Sequence, residues 1–257
     1  MKIGIIGHTG MVGSELVRRG YEPINFRIID KEKYELRDND FDIIVYCAGF
    51  TDVDQAQEEP SSALLVNAWG VHHLLNHYRG RLLYISTDHV FSGKKWISSG
   101  YTERHNPSPI NWYGHTKFTG ESLTLSPIIR NKVVRTSKLF DENYLREKIS
   151  VHPKEYTDVL KRSFLHVQHF VDGLVYVLDN WEKMPIILNV SGKDIMSHYM
   201  LFGAVLRHWG WDQSLVLPRK KQLKDATPRP IRAGLNVNLA KKLGVPLYSA
   251  FDGVKLL

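Results

Sequence analysis

Short apolar runs alternate with amphipathic stretches through the first half of the chain, and this rhythm constrains the fold more than any other feature. "KIGIIG" (2–7), "FRIID" (26–30), "FDIIVYCAG" (41–49), "RLLYIST" (81–87) and "KVVRTSKLF" (132–140) have strand length, and the third is apolar enough for burial on both faces. Between them, "GMVGSELVRRG" (10–20), residues 60–80 and residues 113–125 have helical spacing, with Pro60 near one start and Gly20 and Gly80 at two ends. Strands alternating with helices predict an α/β fold, a doubly wound parallel sheet covered on both faces. About a dozen residues separate the second and third runs, too few for a crossover helix beyond a turn. After residue 140 the rhythm loosens. Residues 141–163 are polar and weakly periodic, 166–181 read as a helix and 185–192 as a strand, with helices again near 197–209 and 238–243.

Bulk properties exclude several classes. A chain of 257 residues with 43% hydrophobic and 24% charged residues can bury a substantial core and is ordinary for a globular protein. No run approaches a membrane span, and "MKIGIIGHTG" lacks the organisation of a signal peptide, so neither a membrane nor export is expected. Cys47 is the single cysteine; inside an apolar run it reads as a packed core thiol rather than a nucleophile, and a cytoplasmic location is expected. The net charge of +7 is scattered, with "RKK" (219–221) its densest point and no aromatic residue beside it, so nucleic acid is not the expected partner. The twelve histidines, "HH" at 72–73 included, show no metal-ligand spacing, and Trp69, Trp209 and Trp211 are expected to pack rather than stack on a ligand.

"GHTGMVG" places Gly7, Gly10 and Gly13 between the first strand and the first helix. Glycines there permit a tight turn and let backbone N–H groups approach a pyrophosphate at the helix N-terminus. Asp30, about twenty residues on, stands where a carboxylate accepts bonds from an adenosine ribose. Its charge favours NADH, while Lys31 and Lys33 offset it, so the sequence leaves NADPH and NADH both open. The division that follows is a cofactor domain of residues 1–140, completed by about 164–191, with a substrate-binding region of 141–163 and 192–257.

"YISTDHVFSG" sets Ser86, Thr87 and Asp88 at the carboxyl end of a strand, where ligands sit in open α/β sheets. "NWYGHTKFTGES" opens the next helix with Tyr113 and Lys117, four apart. Spacing alone decides nothing, because Tyr144 and Lys148 in "NYLREK" repeat it. Context separates them: only the first pair follows a strand ending in hydroxyls. A phenol near its ordinary pKa is a poor acid–base group at neutral pH, and an adjacent ammonium stabilises its anion.

With these motifs in place, the chain resembles the extended short-chain dehydrogenases/reductases, and within them the dTDP-4-dehydrorhamnose reductase family. "GHTGMVGSEL", "AGFTDVDQAQEEP", "VNAWGVHHLL", "STDHVFSG", "YGHTKFTGE", "VVRTS" and "TPRPIRAGLN" stand in the family's order. The resemblance implies a Rossmann-like sheet, NADPH or NADH as cofactor, and reduction of the C4 ketone of a nucleotide-linked 6-deoxy sugar. It implies Thr87, Tyr113 and Lys117 as the catalytic set. On the cofactor side it implies Gly7, Thr9, Gly10, Met11, Val12 and Gly13 at the pyrophosphate, then Asp30, Ala48, Gly49, Thr51 and Ser86, with Asn67 supporting the neighbouring strand end. On the substrate side it implies Val53, His89, Lys138 and Arg229 beside Thr87. A homodimer stays open.

The departures fall on the substrate side. His89 stands where the family has tyrosine, Lys138 where it has tryptophan, and Arg232-Ala233 where it has Asn-Ser. His89 is either a substituted substrate contact or a polar surface residue. Two alternatives follow from the same resemblance: a reductase or epimerase of another nucleotide sugar, and a non-catalytic NAD(P)-binding subunit, since the regulatory beta subunit of methionine adenosyltransferase resembles this subfamily. Retention of Thr87, Tyr113 and Lys117 argues for the enzyme.

Overall fold

The computed structural model describes residues 1–26, 41–94, 97–125, 131–220 and 227–257. Six parallel strands form the central sheet: β1 (Ile3–Ile6), β2 (Glu22–Ile24), β3 (Ile43–Tyr46), β4 (Arg81–Thr87), β5 (Lys132–Thr136) and, after the elements described below, β9 (Ile187–Asn189). Their order is β2-β1-β3-β4-β5-β9. β1 and β3 are buried at every position, as strands covered on both faces must be. The chain leaves β1 towards β2 and returns on its other side as β3, so the sheet's switch point is the gap between the carboxyl ends of β1 and β3.

The alternation of side chains divides the core into two layers. Ile5, Val45, Leu83 and Val134 pack under α7 (Val167–Asp179) through Phe170, Leu174 and Val177, and α1 (Met11–Arg18) closes the same face. Ile6, Ile44, Tyr46, Leu82 and Tyr84 face the other way, against Val71 and Leu74 of α4 (Gly70–His77). α5 (Trp112–Thr124) lies beside α4 and is clamped to β5 by a fully buried bidentate pair, Arg135 Nε and Nη2 to Glu121 Oε1 and Oε2 at 2.9 and 2.7 Å.

The stretch 60–80 is not one helix. After α2 (Val53–Glu58), capped by Asp52, come α3 (Pro60–Leu64), a π-helical turn (Leu65–Trp69) and then α4. The wider turn displaces carbonyls from the ordinary ladder, and tyrosines of the sheet take two of them: Tyr46 donates to Val66 O and Tyr84 to Asn67 O, each at 2.8 Å. Trp69 on this turn is 53% exposed, with the His72 ring set across it at 5.3 Å between centres, contrary to its expected packing. Trp209 and Trp211 do pack, against each other and a second core.

Residues 141–163 are also more ordered than their polarity suggests. α6 (Glu142–Lys148), capped by Asp141, and β7 (Lys154–Thr157) occupy them, and a two-residue β6 (Leu139–Phe140) pairs with β8 (Leu165–His166). With α8 (His198–Trp209), β10 (Val216–Arg219), which pairs with β7, and α10 (Ala250–Val254), they enclose the second core around Phe140, Tyr156, Phe164, Phe202 and Val205. α9 (Asn238–Lys242) returns to the first core through Ala240. The second strand is Glu22–Ile24, earlier than the run at 26–30; Pro23 is tolerated because this strand pairs with β1 alone among the described strands. Residues 27–30 of the expected strand lie outside the described residues. Among the described residues no helix is long and apolar enough to cross a membrane.

Candidate active site

A cavity of about 570 Å³ opens over the carboxyl ends of β1, β3, β4 and β5. At its β1 end, Gly7 adopts φ +81°, and a Cβ there would lie 2.4 Å from Ala48 N. Gly10 precedes α1 with extended backbone and no side chain capping the helix, so the first N–H groups of α1 face the cavity unclaimed by any cap. A Cβ on Gly13 would lie 2.2 Å from Gly7 O; this glycine lets helix and turn touch and does not line the cavity. Such a cradle fits the pyrophosphate of a dinucleotide: open N–H groups, the positive helix end, and no side chain in the way. Thr9, Met11 and Val12 line the same end, followed by Ala48, Gly49 and Thr51 after β3.

Asn67 is absent from the lining. It is fully buried, and its amide grips both backbone groups of Phe50, accepting from the N–H at 2.9 Å and donating to the carbonyl at 3.1 Å. It also donates to Thr116 Oγ1 at 2.9 Å, tying the loop at Ala48–Thr51 to α5. Support of the strand end, not cofactor contact, is its place in the structure. Asp30, the expected ribose ligand, lies outside the described residues, as do Lys31 and Lys33.

Thr87 ends β4 opposite Thr136 of β5, and Thr87 and Tyr113 both line the cavity. Asn111 caps α5 through Gly114 N, which fixes Tyr113 in the first turn. Burial is the main cause that pushes the phenol up, to about 12, against the opposing Thr87 contact. Lys117 sits one turn deeper. Its ammonium donates to Ile85 O at 2.6 Å and lies 4.1 Å from the centre of the Tyr84 ring, and burial pushes it down to about 7, opposed by Glu121. The expected lowering of the phenol by this ammonium is therefore not what the geometry gives: burial dominates, and the phenol stays protonated, suited to donating a proton. Ser86 and Thr136 line the same cavity, and their buried hydroxyls have no hydrogen-bond partner among the described residues.

The decoy pair stands on a helix, α6, with Lys138 Nζ 4.6 Å from the Tyr144 ring centre, but neither Tyr144 nor Lys148 lines the cavity. Cys47 does line it, half-buried, with its thiol pushed up to about 12 by burial, so it is an inert wall.

On the substrate side Val53, His89 and Lys138 line the cavity as expected. Arg229 does not; it stands behind the lining, donating to Asp54 Oδ2 at 2.7 Å. Arg232 is exposed, and Ala233 is buried in a backbone bond to Lys161 O, both away from the lining. Sequence reasoning missed Arg162. Its guanidinium is buried beside Asp88, Nε to Oδ2 at 3.4 Å, and donates to Pro230 O at 2.6 Å. Ser137 donates to the same Asp88 Oδ2 at 2.6 Å, and Thr87 to Oδ1 at 3.2 Å. No local pattern marks Arg162, because the partners that define it lie far away in the sequence. Asn111 was missed too, though an asparagine one residue before a helix is a cap signal.

Comparison with known proteins agrees with this architecture. The family model described as "RmlD substrate binding domain" matches residues 1–253, and the chain belongs to that family. The spore coat polysaccharide biosynthesis protein SpsK of Bacillus subtilis is 26% identical, over 95% of this chain and 92% of its own. Methionine adenosyltransferase 2 subunit beta of Mus musculus is 32% identical, over 96% of this chain and 79% of its own. The crystal structure of a dTDP-4-dehydrorhamnose reductase from Bacillus anthracis, in complex with NADP, superposes with a TM-score of 0.80 at 25% identity, covering 100% of this chain and 98% of the other. Family, fold and site together make the chain an NAD(P)-dependent oxidoreductase.

Proposed function

We propose that this member of the RmlD substrate-binding-domain family reduces the C4 ketone of a nucleotide-linked 4-keto-6-deoxy sugar, with dTDP-4-dehydro-L-rhamnose the first substrate to try. The observation that carries the reading is that Thr87, Tyr113 and Lys117 line one cavity with the glycine cradle at the sheet's carboxyl edge. Bound NADPH or NADH supplies a hydride to the carbonyl carbon. Tyr113, held protonated by burial, gives its phenolic proton to the carbonyl oxygen as that oxygen gains charge. Thr87 donates to Asp88 Oδ1 at 3.2 Å in the ligand-free protein, and turning that one proton to the carbonyl oxygen lets it hold the same oxygen. Lys117, reaching through the gap between β4 and α5, is assigned to the ribose beside the nicotinamide. The division into residues 1–140, completed by about 164–191, and a substrate region of 141–163 and 192–257 belongs to the same proposal, as does a cofactor preference left between NADPH and NADH.

Mixing the protein with NADPH or NADH and dTDP-4-dehydro-L-rhamnose should consume the reduced cofactor, and NMR of the product should show the new C4 centre. No consumption with any 4-keto sugar nucleotide sinks the reading. A second reading, a binding subunit without turnover, is favoured by the match to the methionine adenosyltransferase beta subunit. It requires tight cofactor binding, no turnover, and co-purification with a partner enzyme.

A further inference from the structure

Asn111 makes three contacts through one amide. Its Oδ1 accepts from the Gly114 backbone N–H at 2.8 Å, and its Nδ2 donates to the Pro228 carbonyl at 2.8 Å. A backbone N–H can only donate and a carbonyl can only accept, so these two partners fix which end of the amide is which. Nδ2 therefore points its other hydrogen at His89 Nδ1, 3.2 Å away. A neutral imidazole that accepts at Nδ1 carries its proton at Nε2. His89 lines the cavity, and with its Nδ1 edge taken by Asn111 the Nε2 edge is left for the cavity.

The surroundings keep the ring neutral. Burial comes first, then the positive charges of Arg162, Arg229 and Lys138, and together they hold His89 well below the ordinary histidine range. The ring is also fixed in place. Its backbone N–H donates to Thr87 Oγ1 at 3.2 Å, and its face meets Tyr113 edge-on at 5.3 Å between ring centres. A Cβ on Gly114 would lie 2.3 Å from His89 O, so the catalytic helix packs directly on this residue.

We infer that His89 is a fixed hydrogen-bond donor to the substrate, its tautomer set by Asn111, and that it selects a sugar presenting an oxygen acceptor near the reacting carbon over one presenting an amine. The proposal rests on the sugar-nucleotide reading above. An ammonium offers the Nε2–H no acceptor and adds a like charge beside Arg162 and Lys138. A keto or hydroxyl oxygen accepts the bond. Asn111 acts here as a positioning residue: it touches no substrate atom, and it holds the cap, the imidazole and the Pro228 segment at once.

Asn111→Asp keeps the helix cap but removes the donor to both Nδ1 and Pro228 O, so the His89 variants, which leave the Pro228 bond in place, isolate the imidazole's share. Nitrogen NMR of the wild type should show His89 protonated at Nε2, bare at Nδ1, and without titration between about pH 5 and 8, the range where free histidine changes charge. In Asn111→Asp the proton should appear on Nδ1 and the ring should titrate upward. Affinity for dTDP-L-rhamnose should fall about tenfold in Asn111→Asp and in His89→Phe, the effect of one lost hydrogen bond in a buried site, while NADPH affinity stays unchanged. His89→Gln, which keeps an amide donor, should recover most of the loss. The wild type's preference for dTDP-L-rhamnose over its 4-amino analogue should narrow about tenfold in His89→Phe. A proton on Nδ1 in the wild type overturns the proposal, as does unchanged dTDP-L-rhamnose affinity in His89→Phe. Binding without reduction by the wild type would sink the reductase reading and leave this one standing; no binding at all overturns both.

Discussion

The two ends of the cavity are built in opposite ways. The β1 end is made of consecutive backbone: Gly7 to Gly13 fold back on themselves, and the groups offered to a ligand are peptide N–H groups that any sequence carries. The β5 end is made of side chains gathered from distant segments: Asp88, Asn111, Lys138, Arg162 and the Pro228–Pro230 stretch meet there through bonds that span up to 117 residues. A backbone site survives divergence so long as its glycines remain. A side-chain site changes ligand with a single substitution, and His89 and Lys138, two of the positions where the resemblance implies a departure, line this end, while Arg232 and Ala233 do not.

The largest expected effect tests whether chemistry belongs between these ends. Tyr113→Phe removes one oxygen while the ring still packs against His89, so folding and NADPH affinity should hold. Its kcat should fall by about 10²–10⁴, the usual range for a positioned general acid. Tyr144→Phe, outside the cavity, should change kcat by less than about threefold. Full activity in Tyr113→Phe, or its loss in Tyr144→Phe, breaks the assignment.

The β1 end should answer to backbone changes alone. Gly13→Ala puts a methyl group into Gly7 O, a clash that only a backbone shift can relieve. Overpacking of this kind costs about 1–3 kcal/mol, and because the shift opens the cradle, the Kd for NADPH should rise by about 10- to 100-fold. Isothermal titration would show it. An unchanged Kd would mean that the pyrophosphate does not sit on this turn.

Lys117 lies between the two ends and carries a cost that the ligand-free protein does not recover. Its folded pKa of about 7 lies below the ordinary lysine value of 10.5, with burial the first cause. The unfolded chain therefore binds more protons than the folded one between those two values, and stability should rise with pH across that window. Lys117→Met should stabilise the ligand-free protein by about 1 kcal/mol at neutral pH, once the lost bond to Ile85 O is set against the relieved burial. The gain should be greatest at and below pH 7 and shrink as pH rises towards 10.5. Thermal melts at both ends of the window check the sign, and a gain that grows with pH would refute it.

The same contrast explains what could be read in advance. The parallel sheet, the glycine turn and the placing of Thr87 and Tyr113 on one cavity were legible because each rests on a local pattern: a strand-length apolar run, glycines at a strand–helix junction, hydroxyls at a strand end. The early second strand was hidden by Pro23, and α6 by its charged surface, with Leu145 its one fully buried residue. The π-helical turn left no trace in periodicity, since its freed carbonyls are satisfied by Tyr46 and Tyr84 from other elements. Arg162 acquires its role, and Asn111 its hold on the Pro228 segment, only through partners 74 and 117 residues away. Such partners do not appear in any window of the sequence.

Arg229 gives the smallest expected effect and the sharpest view of where the β5 end stops. The family resemblance implies a substrate ligand here, yet in the structure Arg229 stands outside the cavity lining and donates to Asp54. That pair is partly open to water, with 26% of the Arg229 side chain and 56% of the Asp54 side chain exposed, and ion pairs in such settings contribute about 0.2–1 kcal/mol. Arg229 also adds to the positive surroundings that keep His89 neutral, but behind burial and Arg162. Arg229→Ala should therefore raise KM for the sugar nucleotide by no more than about threefold and leave kcat and NADPH affinity alone. Asp54→Asn should do about the same, because both remove one exposed pair. If Arg229→Ala raises KM more than about thirtyfold while Asp54→Asn does nothing, the guanidinium leaves Asp54 when substrate arrives. The β5 end would then include one more residue than the ligand-free geometry assigns to it.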